Sequence, residues 1–265
     1  MNNIWAIYKR EMRAYFVSPL AYVMYVLFLV VCGVFFNMYF SAYYKYSQEY
    51  MTMMSMRQQF GGMPPLPNYT EMVLLGITNV MTFILLFIIP MLSMRLFAEE
   101  KKMGTIELLF TYPVKDIEVL LGKFFAAASV YAGMLALTMV YTILSYNAVP
   151  DQTYFPAVFA SYLGVFLVGI AFLSFGIFAS SITENQIVAG LVSFAVLLVL
   201  WMIAFVDEIQ PGKLGEICNE ISVFAHFEDF SKGVIVTGHV AYYILFSLFF
   251  LFLTLRVLES NKWRA

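Results

Sequence analysis

The sequence has little charge. Only 12% of its 265 residues are Asp, Glu, Lys or Arg, whereas 62% are hydrophobic, and soluble domains carry about 25% charged residues. The mean hydropathy is +0.81. A chain with so few polar side chains cannot cover a surface that faces water, so an ordinary soluble domain is excluded. The net charge of -2 and the lack of a basic stripe give no reason to expect a nucleic-acid partner.

The chain also lacks the motifs of nucleotide hydrolysis and of common enzymes. No Gly-x-x-x-x-Gly-Lys-Ser/Thr loop occurs, because Gly122-Lys123 is followed by Phe124 and has no earlier glycine at the required spacing. No Ser/His/Asp set, His-Glu-x-x-His or Cys-x-x-Cys is present. The two cysteines, Cys32 and Cys218, lie in an apolar run and in a polar connection, so we expect no disulfide. We predict no catalytic residue, no bound cofactor and no ATPase activity in this chain.

Six apolar segments are long enough to span a membrane. A helix needs about 20 apolar residues to cross the bilayer core. The segments are Leu20–Phe40, Val73–Met94, Phe124–Tyr146, Ala157–Ser180, Ile187–Val206 and Ala241–Leu258. They contain no Lys, Arg, Asp or Glu except Arg256, which disfavours an ion-coupled carrier. Continuous apolar runs predict helices rather than the alternating strands of a barrel.

The positive charges predict the orientation. With the N-terminus inside, the inner segments hold Lys9, Arg10, Arg13, Arg95, Lys101, Lys102, Lys115, Lys123, Arg256, Lys262 and Arg264. The outer segments hold only Lys45, Arg57, Lys213 and Lys232. By the positive-inside rule, both termini lie in the cytoplasm.

Two further regions are predicted to form helices outside the spans. Residues 1–17 place Trp5, Tyr8 and Tyr15 on one helical face, which is typical of an interfacial amphipathic helix. Its role is either a simple anchor or a contact with a partner. Residues 207–238 are predicted to form short outer helices that dip back into the membrane. We expect the apolar face that includes Leu214, Ile217 and Ile221 to be buried against the bundle.

Several patterns have both an ordinary and a special interpretation. Small residues four apart, as in Ala160/Gly164 and Gly176/Ser180, allow helices to approach closely, and we favour packing within one chain over a dimer face. Two outer clusters could hold metal, since thioethers bind Cu(I), but Met is also a common space filler. These clusters are Met51, Met53, Met54, Met56 and Met63, and His226, Glu228, Asp229 and His239. We predict no metal site in either.

The dense charged block at Arg95–Pro113 is the best candidate for a functional site. It lies between two apolar segments, on the side predicted to be cytoplasmic. The simpler interpretation is a membrane anchor in which Lys and Arg set the orientation and the acidic side chains are only hydrated. Three glutamates and Gly104-Thr105 are not needed for an anchor, so we favour a docking site for a soluble partner. A transporter without nucleotide motifs or ion-coupling residues would take its energy from such a partner.

The order of residues in this block and elsewhere points to a known family. The matching stretches are Met94-Arg-Leu-Phe-Ala-Glu-Glu-Lys101, Gly104-Thr-Ile-Glu-Leu-Leu109, Thr111, Pro113-Val114, Leu121-Gly-Lys-Phe124, Phe224-Ala-His-Phe-Glu-Asp-Phe-Ser-Lys-Gly233 and Leu258-Glu-Ser-Asn-Lys-Trp-Arg264. In these stretches the chain resembles the permease subunits of ABC-2 type transporters. It is most similar to the gliding-motility-associated group and more distantly to the permease of the nitrous-oxide-reductase maturation transporter. The resemblance covers nearly the whole chain but specifies no substrate.

The resemblance implies an all-α membrane protein of the ABC-2 exporter type, with residues 1–265 as a single domain in the bacterial inner (cytoplasmic) membrane. Region 95–116 would contain a coupling helix, about Ala98–Tyr112, that docks on a separate ABC ATPase subunit carrying ATP and Mg. The implied coupling residues are Arg95, Glu99, Glu100, Lys101, Gly104, Thr105, Glu107 and Leu108. Further implied partners are a second permease, the same or homologous, membrane lipids and an outer accessory protein. The alternative function is a non-transporting membrane platform that transmits ATPase-driven motion to assembly or gliding-motility machinery.

Overall fold

Long helices dominate the structure, which is a computed structural model. It describes residues 2–57, 68–105, 114–148, 154–209 and 212–262, and these residues contain no β-strand. The helices are α1 (Asn2–Val17), α2 (Pro19–Arg57), α3 (Leu75–Ser93), α4 (Arg95–Lys102), α5 (Asp116–Ala148), α6 (Phe155–Ile182), α7 (Gln186–Met202), α8 (Val206–Ile209), α9 (Lys213–Ile221), α10 (Glu228–Ser231) and α11 (Thr237–Lys262). A π-helical turn, Thr70–Leu74, leads into α3, and 3-10 turns occur at Ile203–Phe205 and Ala225–Phe227.

Six of these helices, α2, α3, α5, α6, α7 and α11, are long and apolar enough to cross a membrane. They coincide with the six predicted segments, so the all-α, six-span prediction is confirmed. The chain is a multi-pass membrane protein. We call the end of the bundle that carries α1, α4, the start of α5 and the α6–α7 turn the basic end, and the other end the opposite end.

Helix α6 is the centre of the bundle. In its most apolar part 72% of the residues are buried, against 17% in α7 and in α11. It contacts α3, α5, α7 and α11. The small residues allow this close packing: a Cβ on Gly164 would lie 2.4 Å from Cβ of Phe230, and one on Gly176 would lie 2.1 Å from Oγ of Ser93. The prediction that these small residues pack within one chain is confirmed.

Helix α2 is longer than the sequence indicated. The apolar run predicted a span at Leu20–Phe40, yet the helix continues to Arg57. Residues 41–57 contain no Gly or Pro and several good helix formers, which explains the continuation. At about 1.5 Å per residue, the 39-residue helix is roughly 58 Å long, whereas the hydrocarbon core is about 30 Å thick. A large part of α2 therefore projects beyond the core at the opposite end.

The projecting part of α2 is braced on one side and open on another. The ring of Tyr43 meets that of Tyr69 edge-on at 5.9 Å between centroids. Met51, Met53 and Met54 are exposed by 65%, 52% and 45%. The interpretation of the methionines as packed filler does not hold for these three. The other members of that cluster cannot be assessed, because Met63 and the side chain of Met56 lie outside the described residues.

The short helices near the opposite end form as predicted, but their apolar face points the other way. Leu214, Ile217 and Ile221 of α9 are exposed by 63%, 57% and 50%, so the expectation that they are buried against the bundle is wrong. Phe227 and Phe230 are fully buried and occupy the contact with α6 instead. Because these bulky rings fill the space, the apolar face of α9 is left at the surface, an arrangement typical of an interfacial helix.

Candidate functional site

Helix α4 holds the centre of the charged block, and its limits follow from local chemistry. The preceding helix α3 contains Pro90, which has no N–H to donate to the helical hydrogen-bond ladder, and it ends at Ser93, one turn later. At the other end, the N–H of Met103 bonds the carbonyl of Glu99, and Gly104 adopts a φ of 66°. A left-handed residue after the cap is the usual way to stop a helix, and glycine adopts this conformation without strain. Gly104 is therefore the stop signal of α4.

A network of ion pairs joins α4 to α1 and α5. Oε1 of Glu100 lies 2.7 Å from Nη2 of Arg10 and 2.9 Å from Nζ of Lys123. Oε1 of Glu11 lies 2.6 Å from the same Arg10 nitrogen and 3.1 Å from Nζ of Lys123. Two cations and two carboxylates thus alternate in a closed arrangement with no net charge. It ties the interfacial helix, the charged block and the start of the third span together.

The network is largely buried at Lys123, whose side chain is only 2% exposed. Nζ of Lys123 also lies 5.3 Å from the centre of the Phe97 ring, a cation–π contact. A buried ammonium group is very costly without partners, and here two carboxylates supply them. Burial would raise the pKa of Glu11, but the charges of Lys123 and Arg10 outweigh burial and hold that pKa below its ordinary value.

A second contact fixes α1 against the end of α3. The hydroxyl of Tyr15 is fully buried and donates to the carbonyl oxygen of Leu92 at 2.9 Å. The guanidinium carbon of Arg95 lies 4.7 Å from the centre of the Tyr15 ring. Because α1 also packs on α5, it is an integral part of the basic end. This contact involves the predicted site residue Arg95 in holding the fold together.

A cleft of about 500 Å³ opens between α1 and α4. Its walls include Arg10 and Glu11 of α1 and Arg95, Glu99 and Glu100 of α4. The second carboxylate oxygen of Glu100, Oε2, is buried and has no hydrogen-bond donor in the described part of the chain. The cleft therefore offers charges of both signs, which suits contact with polar or charged groups of another protein.

The predicted site residues that the structure describes either make contacts within the chain or face the cleft. Arg95, Glu100 and Lys101 are engaged within the chain, Lys101 through a bond from Nζ to the carbonyl of Ser181. Glu99 makes no ion pair among the described residues and lines the cleft. Thr105 donates to the carbonyl of Glu100 at 3.2 Å.

Part of the predicted site lies beyond what the structure describes. Glu107 and Leu108, and most of the predicted helix Ala98–Tyr112, fall outside the described residues. The described helix α4 begins at Arg95, three residues before the predicted start.

Sequence reasoning missed the partners of α4. Arg10, Glu11 and Lys123 complete the ion-pair network, and Ser180 contacts the start of α4. A weak signal existed for Lys123, a charge at the very edge of an apolar run, which is costly to bury alone. Ser180 stood out only as a small residue four positions after Gly176, and that spacing does not predict a hydrogen bond to α4.

The polar cluster near the opposite end is a hydrogen-bonded contact. Nε2 of His239 lies 2.9 Å from Oδ2 of Asp229, and the ring of His226 stacks on Tyr242 at 3.9 Å between centroids. Nδ1 of His226 lies 2.8 Å from the carbonyl oxygen of Ser222. Among the described residues no group of three or more His, Cys, Asp or Glu is arranged to hold a metal ion. These contacts join the short outer helices to α11.

Six apolar helices with a charged cleft at one end of the bundle are the features of a multi-pass membrane protein. Comparison with known proteins identifies the class. The family described as "ABC-2 family transporter protein" matches residues 5–225. The match covers most of the chain, from α1 to the outer 3-10 turn, and the chain belongs to this family. No curated protein gives a significant match.

Proposed function

We propose that the chain is the permease subunit of an ABC-2 transporter that couples to a separate ABC ATPase through α4. Family membership supports the role of a membrane component. The observation that carries the coupling proposal is the position of α4, which is bonded to the interfacial helix and the third span and also lines an open charged cleft. A partner that displaces α4 would act on several spans together.

The available surface of α4 favours particular contacts. Glu99 has no ion pair among the described residues, and Lys102 and Met103 are exposed, Met103 by 60%. These three side chains, rather than Glu100 and Lys101, are free to contact the ATPase. Glu100 and Lys101 would keep α4 in place.

The remaining parts of the proposal follow from charge and family. The excess of Lys and Arg at the basic end supports a cytoplasmic location for that end. Both termini would then lie on the cytoplasmic side of the bacterial inner membrane. ABC transporters work with two membrane components, so a second permease, identical or homologous, would complete the path. ATP and Mg would be bound by the ATPase, and the direction would be export.

Charge reversal at Glu99 tests the coupling. We would co-express the chain with an ABC ATPase of the same genome that co-purifies with it, reconstitute the complex in nanodiscs and measure ATP hydrolysis with and without the permease. Glu99→Lys should reduce the permease-dependent stimulation about fivefold, the size expected for losing one contact of about 1 kcal/mol. Glu216→Lys is the matched control, because Glu216 is an exposed glutamate on α9 near the opposite end. Full stimulation in Glu99→Lys, together with full stimulation in Met103→Glu, would refute docking on α4.

A second candidate function is a membrane platform that transmits motion without transporting a compound. The observation that favours it is the long projection of α2 beyond the bilayer core, which could hold an outer accessory protein. Reconstitution separates the two functions. ATP-dependent loss of a compound from vesicles supports transport. An ATP-driven change in spin-label mobility at exposed Met53, without flux of any tested compound, supports the platform.

A further inference from the structure

The start of α4 is held by a side chain from another helix. Ser180, in the last turn of α6, is fully buried. Its Oγ accepts hydrogen bonds from the backbone N–H groups of Phe97 and Ala98, both at 3.1 Å. The same hydroxyl donates to the carbonyl oxygen of Met94 at 2.8 Å. One side chain therefore bridges the junction between α3 and α4.

The chemistry of this contact is that of a helix cap. The first N–H groups of a helix have no acceptor within the helix, and Met94, which precedes α4, supplies no side-chain cap. A serine hydroxyl has one donor and two acceptor positions, and Ser180 uses all three. Capping residues normally precede their own helix in sequence, whereas Ser180 lies 83 positions from Phe97. The cap is supplied by a distant part of the same chain, the central helix of the bundle.

Ser174, another buried serine of α6, behaves differently. The hydroxyl of Ser174 donates to the carbonyl of Ala171, three residues earlier in the same helix, at 2.7 Å. Such bonds are the ordinary way in which a serine satisfies its hydroxyl in an apolar helix. Ser174 is also fully buried. It therefore provides a reference for what a serine in α6 does without a partner helix.

A second bond links the far end of α4 to the same place. Nζ of Lys101 donates to the carbonyl oxygen of Ser181, in the last turn of α6. The last four carbonyl groups of a helix lack partners within the helix, so this bond satisfies one of them. At the first attachment point, Leu96, Phe97 and Ala98 are buried. Both ends of α4 are thus fixed to the end of α6.

The contacts of α4 with α1 and α5 differ in chemistry from its contacts with α6. Toward α1 and α5 they are ion pairs through Glu100, and one partner, Arg10, is 52% exposed. Exposed charged groups exchange partners with water or with another protein at little cost. Toward α6 the bonds involve buried backbone N–H groups, which lose free energy when left without an acceptor. When α4 is displaced, the ion pair with the exposed Arg10 can rearrange at little cost, whereas the buried pair with Lys123 and the attachment to α6 resist separation.

We propose that Ser180 is a positioning residue that makes α4 and the end of α6 one mechanical unit. A force on α4 then moves the ends of α6 and α7 at the basic end, and through α6 it reaches the centre of the bundle. This inference rests on the proposed function in one respect, that an ATPase displaces α4. The cap itself does not depend on the ATPase and can be tested in the permease alone.

The first experiment is hydrogen exchange on the purified permease in nanodiscs, comparing wild type, Ser180→Ala and the control Ser174→Ala. Loss of the cap should speed amide exchange in residues 95–98 about fivefold, the factor expected for one helix cap. Ser174→Ala should leave these amides unchanged. Ser180→Cys keeps nearly the same volume but bonds weakly, and it should give the same direction if Ser180→Ala does not fold.

The second experiment uses the complex with the ATPase. Ser180→Ala should still bind the ATPase but lose most of the permease-dependent stimulation of ATP hydrolysis, whereas Ser174→Ala should retain it. Exchange in residues 95–98 that is equal in Ser180→Ala and wild type would overturn the cap. Faster exchange with full stimulation would overturn the positioning role. A wild-type permease that neither binds nor stimulates the ATPase would refute the proposed function, and the exchange result for the cap would still stand.

Discussion

Removal of the buried cation from the ion-pair network is the most direct test of how the basic end holds together. In Lys123→Met, a side chain that is 2% exposed loses its charge. Glu11 and Glu100, exposed by only 12% and 15%, are then left with Arg10 alone. The local charge changes from zero to negative, in a place where water has little access. We expect the basic end to be strongly destabilised.

The magnitude follows from the geometry. Breaking a buried ion pair by removing one partner costs about 3–5 kcal/mol. Arg10 still lies 2.6 Å and 2.7 Å from the two carboxylates, so the cost should be near the lower limit, about 3 kcal/mol. For a chain of this size, about 2–4 °C per kcal/mol applies, which gives a decrease in Tm of roughly 6–12 °C.

The assay is thermal unfolding of the purified protein in mild detergent, followed by fluorescence-detected size exclusion. Adding Glu100→Gln to Lys123→Met restores a balanced local charge, so the double variant should recover about 1–2 kcal/mol relative to Lys123→Met. The control is Lys102→Met, which removes an exposed lysine from α4 and should change Tm little. A Tm for Lys123→Met equal to that of the control, or a double variant less stable than Lys123→Met, would refute this account.

Two further predictions concern α1. Because the pKa of Glu11 is held below its ordinary value of 4.5 by Lys123 and Arg10 despite burial, its stabilising contribution is complete above pH 4.5 and is lost as the pH falls through the lowered pKa. Thermal stability should therefore decrease more steeply below pH 4.5 in wild type than in Glu11→Gln, and equal slopes would contradict the ion-pair role. A Cβ on Gly122 would lie 2.7 Å from Cγ2 and 2.8 Å from Cβ of Ile7, so Gly122→Leu should displace α1 and increase its cleavage by protease several-fold. Gly238→Leu is the control, because a Cβ there meets nothing within 4 Å, and it should leave the cleavage of α1 unchanged.

The sequence was sufficient for the elements that depend on composition. The six spans follow from long apolar runs, and α1 follows from its aromatic residues at helical spacing. The continuation of α2 to Arg57 does not follow from hydropathy, because polar residues such as Gln48 and Glu49 lie beyond the apolar run, although they are good helix formers.

The candidate site was predictable only in part, because its contacts are tertiary. The charged block identified one side of the network, but Glu11 and Lys123 lie 112 positions apart. Ser180 lies at the boundary of an apolar span, where a serine is unremarkable in sequence. Its role depends on which helix end it meets, and the packing of α3 on α6 at Gly176 decides that. A local sequence pattern does not show which helix end a distant serine will meet.

The length of α2 has a mechanical consequence. A single residue, Ser18, separates the end of α1 from the start of α2. The first turn of α2 is therefore attached to the part of the molecule where the ion-pair network lies. A helix roughly 58 Å long acts as a lever. If the start of α2 is held at the basic end and the helix tilts by about 5°, its last turn moves by about 5 Å, since the displacement scales with the length. Small rearrangements among Arg10, Glu100 and Lys123 would thus be amplified into a side-chain-sized displacement on the far side of the membrane.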